Sequence, residues 1–107
     1  MRTVHEIIIK PQTGLEAEAS QVFEELGAVY AVEPGFVEHY ALDGLPEAGL
    51  LAHVTVWESR HAADAAAQLD RTVAVRERLE ALAVSTDGRA LLDIISERSG
   101  ELAPALA

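Results

Sequence analysis

The chain has 107 residues, no cysteine and a formal net charge of −10, and half of its residues are hydrophobic. Without cysteine there are no disulfides, no thiolate metal sites and no cysteine nucleophile, and the acidic balance argues against nucleic acid or an anionic membrane surface as partner. The length suits a single domain (1–107) with one core; so large an apolar share in so small a chain implies that a second copy covers part of it.

The start, MRTVHEIIIKP, has too short an apolar run for a signal peptide, and nothing later approaches a membrane span, so a soluble cytoplasmic protein is expected. Thr3–Lys10 reads as a first strand, ended by the breakers Pro11 to Gly14. Ile7, Ile8 and Ile9 are consecutive, which implies burial on both faces. Leu15 to about Val32 is a helix with Leu15, Ala19, Val22, Phe23, Leu26, Val29 and Tyr30 on its apolar stripe; Gly27 weakens it by about 1 kcal/mol. Gly35–Leu42 is a second strand, with Phe36, Glu38, Tyr40 and Leu42 on one face and Val37, His39 and Ala41 on the other. A turn-rich connection, Asp43–Gly49, leads into the most strand-like run of the chain, Leu50–Glu58.

That third strand puts His53, Thr55 and Trp57 on one face and Ala52, Val54 and Val56 on the other. It should form a hairpin with the second strand, bringing His39 opposite or near His53. Ser59 is a good N-cap for an alanine-rich helix, Ser59–Leu69, whose small side chains permit close approach to the sheet. Helix continues over Arg71–Val84 with a bend near Asp70; Val75, Leu79 and Leu82 face the core and Arg76 lies at the stripe's edge. A turn follows at Ser85–Gly88. Arg89–Arg98 fits helix or strand by periodicity; we read it as a strand, because three strands alone leave an edge that wants a partner. Residues 99–107 form a short, weakly ordered tail.

Strand, helix, strand, strand, helix, strand is the ferredoxin-like βαββαβ arrangement of an α+β fold, with a four-stranded antiparallel sheet in the order 4-1-3-2. The third strand is then central, its His53–Thr55–Trp57 face turned to the helices and its Ala52–Val54–Val56 face to a partner chain.

The residues also carry a family resemblance. The hydrophobic first strand followed by Lys10-Pro11 and Gly14, Pro34-Gly35-Phe36 opening the second strand, and Val56-Trp57-Glu58-Ser59 closing the third make residues 3 to about 98 resemble the antibiotic biosynthesis monooxygenase domain of the dimeric α+β barrel superfamily. The resemblance implies a homodimer with facing sheets and a ligand cavity between each sheet and its helices. It implies an oxidoreductase that monooxygenates a phenolic, quinol-type or polyketide-like aromatic molecule without any cofactor. Trp57 matches the cavity tryptophan of the polyketide-oxidising members, His53 stands where they carry a substrate-contacting asparagine, and Arg76 is the nearest match to their helix arginine. The haem-degrading branch resembles the chain around Thr55-Val56-Trp57 too, but Ile7, Ala66 and Arg76 stand near where its asparagine, tryptophan and haem-ligating histidine fall, which argues against haem degradation.

The chemistry expected from these residues is modest. Trp57 floors an aromatic-sized pocket. His53, or His39, takes a phenolic proton, the anion reacts directly with dioxygen, and Arg76 or Arg71 stabilises the developing charge. His39, Thr55 and His5, on the same face, are further substrate contacts. Two imidazoles and a carboxylate could hold a metal, but no carboxylate stands at a fixed spacing, so no metal is expected. The alternatives are a non-catalytic small-molecule-binding dimer and an isomerase or hydrolase of a small carbonyl compound.

Overall fold

The structure is a computed structural model, and it describes residues 2–43, 49–85 and 90–98. Its elements are β1 (Arg2–Ile9), α1 (Glu16–Ala31), β2 (Phe36–Asp43), β3 (Leu51–Trp57), α2 (Arg60–Ala67), α3 (Asp70–Leu82) and β4 (Leu92–Arg98). The strands form one sheet in the order β2-β3-β1-β4, every neighbouring pair antiparallel. This is the expected ferredoxin-like topology, with β3 and β1 central and the ambiguous final segment a strand. The bend expected near Asp70 is a full break: Leu69 is extended, and the Thr72 hydroxyl donates to the Ala66 carbonyl across the gap at 2.7 Å. Gly44–Ala48 of the β2–β3 connection, Thr86–Gly88 of the expected turn, and the tail 99–107 lie outside the described residues. Among the described residues no helix is long and apolar enough to cross a membrane.

Alternation gives β3 its two faces. On the helix side, Trp57 joins Ile7, Ile9, Phe23, Leu26, Tyr30 and Leu79 in the main core. On the other side, Val4, Val54 and Val56 make a second cluster with Val37 and Tyr40. One cross-strand row on this second face, Leu42–Ala52–Ile8–Leu92, is apolar across all four strands. Leu42 and Leu92 at its ends are 45% and 46% exposed, and Ile94 in the next row is 41% exposed.

The expected faces of β2 need one correction. A β-bulge lies between Phe36 and Glu38, so Phe36 pairs with Trp57 while Glu38 pairs with Val56. The extra residue shifts the alternation. Phe36 therefore lies on the helix side, its ring edge-on to Trp57 at 5.6 Å, while Val37, expected beside His39, packs on the opposite face with Tyr40 against Val54 and Val56; Glu38, Tyr40 and Leu42 keep the face expected of them.

Two glycines let the helices close on the sheet. Gly35 has φ +83°, which L side chains rarely adopt, and a Cβ there would lie 2.5 Å from the Ala62 Cβ. Gly27, in the middle of α1, faces the His39 ring; a Cβ there would lie 2.5 Å from Cε1. The helix thus gives up propensity where it accommodates an imidazole. A clasp fixes the far end of the layer: Pro11 bridges Ala83, the Val84 N–H donates to the Lys10 carbonyl at 2.7 Å, and the Gln12 N–H donates to the Leu82 carbonyl at 2.8 Å.

Gly27→Ala would gain about 1 kcal/mol in helix propensity yet push on a ring that is held elsewhere. We expect net destabilisation of about 1–2 kcal/mol, read by denaturant unfolding. Adding His39→Ala should remove the penalty, a coupling that a double-mutant cycle measures.

Candidate active site

Neighbouring strands bring four polar side chains together on the helix side of the sheet. His53 pairs with Ile7 and Ala41, while Thr55 pairs with His5 and His39, so the three histidines occupy two adjacent rows. His39 is thus near His53 on the same face, as alternation predicts, and is diagonal to it rather than opposite. The His39 Nδ1 and His53 Nε2 atoms are 3.0 Å apart and share a hydrogen bond. His53 is 1% exposed and its ring stacks on Phe23 of α1 at 5.4 Å. Its Nδ1 is buried without a hydrogen-bond partner. Burial, with smaller electrostatic contributions from the neighbouring His39 and His5, pulls its pKa down to about 4. At neutral pH His53 is therefore an uncharged imidazole with one uncommitted ring nitrogen.

Trp57 is buried, with Tyr30 and Phe36 edge-on to it at 5.2 and 5.6 Å. Its indole N–H donates to Thr55 Oγ1 at 2.9 Å, and that hydroxyl donates in turn to the His5 carbonyl at 3.3 Å. The hydroxyl of Thr55, expected as a substrate contact, is engaged in holding the tryptophan to the sheet. The Tyr30 hydroxyl is buried without a partner; burial raises its pKa, and the nearby Arg76 charge opposes that rise.

Arg76 reaches the sheet from α3, where it meets a residue that sequence reasoning missed. Its guanidinium grips Asp93 of β4 with two bonds, Nη1 to Oδ1 at 3.0 Å and Nη2 to Oδ2 at 2.6 Å. Asp93 also bonds His5 Nε2 at 2.8 Å. The desolvation of Asp93 is outweighed by His5 and Arg76, which together hold its carboxyl well below the usual carboxylate range. A lone acid in the run ALLDIIS, on the same alternation as Ile95, was the signal for it. Arg71, the other candidate cation, is instead paired with Glu33 beyond the end of α1.

Asp93 and Ile95, on the helix face of β4, stay 38% (side chain) and 37% exposed, so the polar row is open to solvent at this edge. Two clefts lie elsewhere. One of about 360 Å³ separates α1 from α3 and is lined by Glu18, Gln21, Glu25 and Arg78. One of about 330 Å³ lies over the alanines of α2, rimmed by Glu33, Glu58 and His61. Neither is lined by the three clustered histidines or by Trp57. Among the described residues, no three His, Asp or Glu side chains are grouped to hold a metal ion.

No protein-family model matches the chain, and no curated protein sequence matches it. Solved structures do match. SnoaB of Streptomyces nogalater, a cofactor-independent oxygenase, superposes with a TM-score of 0.77 at 20% identity, over 95% of this chain and 97% of that one. A proposed antibiotic biosynthesis monooxygenase from Nitrosomonas europaea gives 0.76 at 14% identity, over 96% and 92%. Another from Deinococcus radiodurans gives 0.77 at 16% identity, over 94% and 95%. The chain has the fold of the antibiotic biosynthesis monooxygenases, the family that its sequence motifs resemble.

The depressed pKa of His53 makes stability depend on pH. The unfolded imidazole titrates near 6.5 and the folded one near 4, so the unfolded chain binds the proton more tightly. The stabilising effect of keeping His53 neutral is complete above pH 6.5 and is lost as pH falls toward 4, by about 3 kcal/mol in all. Asp93 acts only at lower pH. Denaturant melts across this window should show the loss, and His53→Gln should flatten it.

Proposed function

We propose that this protein is a cofactor-independent monooxygenase of a small, electron-rich phenol or hydroquinone. The observation that carries this reading is the uncharged His53, with a free nitrogen, on the same sheet face as Trp57 in a fold shared with a cofactor-independent oxygenase. The substrate enters from the open β4 edge, beside Asp93, Arg76 and His5, in the direction of the buried Trp57. His53 takes the phenolic proton at Nδ1 while its Nε2–H stays bonded to His39, the half-buried imidazole through which the proton can leave. The phenolate gives an electron to dioxygen, and recombination forms a carbon–oxygen bond. One oxygen atom stays in a carbonyl and the other leaves as water. Arg76, fixed by Asp93, supplies the nearest positive charge for the anion.

The protein works as a homodimer on this reading. The apolar row Leu42–Ala52–Ile8–Leu92, exposed at both ends, is the surface a second copy would cover.

Oxygen uptake with a panel of dihydroxy-aromatics tests the activity. His53→Ala should lower turnover about 10²–10⁴-fold, and Trp57→Phe should lower it with the dimer intact. Compounds that raise the melting temperature without being consumed would mark a binding protein instead; consumption without oxygen uptake would mark an isomerase or hydrolase. Leu92→Glu should give monomers in sedimentation; a monomeric wild type would remove the dimer reading.

A further inference from the structure

Oxygenation of a phenol by dioxygen moves two protons. One leaves the hydroxyl and one leaves the carbon that gains oxygen, and both end in the water released. The His39–His53 pair accounts for the first. The second needs another group on the same face, and the structure holds one: His5, buried on β1 one row from His53, with Nε2 on Asp93 Oδ1 at 2.8 Å. Asp93 is itself clamped by Arg76 at 3.0 and 2.6 Å. A carboxylate that holds Nε2–H leaves the lone pair on Nδ1, the tautomer of an oriented histidine base. Arg76 and His5 keep that carboxylate ionised, and the unit stands at the solvent-open edge where a ligand arrives.

Building on the monooxygenase reading, we propose that His5, oriented by Asp93, is the second proton-transfer residue and completes the reaction after the carbon–oxygen bond has formed. The phenolic proton returns through His53 to the outer peroxide oxygen, giving a hydroperoxide, and His5 then removes the hydrogen on the carbon that bears it as a proton. The electron pair of that C–H bond becomes the second bond of the new carbonyl, and the O–O bond breaks. The outer oxygen departs as hydroxide, takes the proton from His5 and leaves as water, which returns His5 to its starting form. Asp93 is a positioning residue, and Arg76 holds it in place.

A para-dihydroxynaphthalene separates this step from the first. The coupled route gives hydroxynaphthoquinone and water from one dioxygen. If the second proton is not removed, the intermediate expels hydrogen peroxide and leaves plain naphthoquinone, again from one dioxygen. With the uncatalysed oxidation subtracted, peroxide in His5→Gln and Asp93→Asn should rise from a trace to about half or more of the oxygen consumed, at whatever rate of uptake remains. Asp93→Glu, which keeps the carboxylate, should restore part of the oxygenated product. Near-UV circular dichroism identifies folded variants, and if Asp93→Asn does not fold, His5→Gln decides. An unchanged product ratio in folded variants overturns the proposal. So does abolished uptake in folded His5→Gln, which would make His5 the first base. A wild type that takes up no oxygen with this probe overturns the monooxygenase reading and this step together, whereas a wild type that does, beside unaltered variants, overturns this step alone.

Discussion

An uncharged imidazole in the middle of the sheet constrains the rest of this structure. His53 is almost wholly shielded from water and has one hydrogen-bond partner, another histidine. Protonating His53 would place a charge where solvent barely reaches it, so the layer is built around one neutral ring. Phe23 stacks on one ring, and the other rests where α1 has no side chain at Gly27. The distance between α1 and the sheet is set by these two contacts. A larger residue at position 27 would separate the histidines, and a charged His53 would force water into the layer.

The tryptophan is held by a different device. Its N–H is tied to Thr55 on its own strand, and Thr55 is tied to the β1 backbone, so the indole is anchored to the sheet and not to the helices. Tyr30 and Phe36 meet it only through their edges. Movement of α1 or of the start of β2 therefore costs aromatic contact but no Trp57 hydrogen bond. That is a suitable footing for a wall that must stay in place while its surroundings adjust to a flat ligand.

Much of this was legible in the residues. Alternation placed His53, Thr55 and Trp57 on one face because β3 runs without irregularity, and the hairpin brought His39 within reach. The breakers Pro11 to Gly14 and Pro34-Gly35, with the Ser59 cap, bounded the elements closely, and Ser59 does accept from the Ala62 N–H. The face of Phe36 was not legible, because a bulge depends on how two strands meet and leaves no mark in a period-two pattern. Asp93 was missed for a related reason: its importance comes from β1 and α3, far away in sequence, and within β4 alone it is one acid among apolar residues. Arg76 could be placed at the edge of a helical stripe, but its two-pronged partner could not be named until β4 had a register. The packing of His39 on Gly27 has the same character, since the glycine looks like a local weakness until the opposing strand is in view.

The clasp between the end of β1 and the end of α3 bears on how a guest could be admitted. Backbone bonds from Gln12 to Leu82 and from Val84 to Lys10 pin one end of α3 to the sheet, as a door is pinned at its jamb. The other end is held by the Arg71–Glu33 ion pair and by the buried Thr72 hydroxyl on the Ala66 carbonyl, side-chain fastenings in place of backbone ones. Rotation of α3 about its pinned end moves Asp70 and Arg71 farthest and Leu82 least, with Arg76 between them. Arg76 lies along that arc, so any such swing is resisted by its two bonds to Asp93 of β4, and the clamp that orients His5 also latches the helix over the polar row.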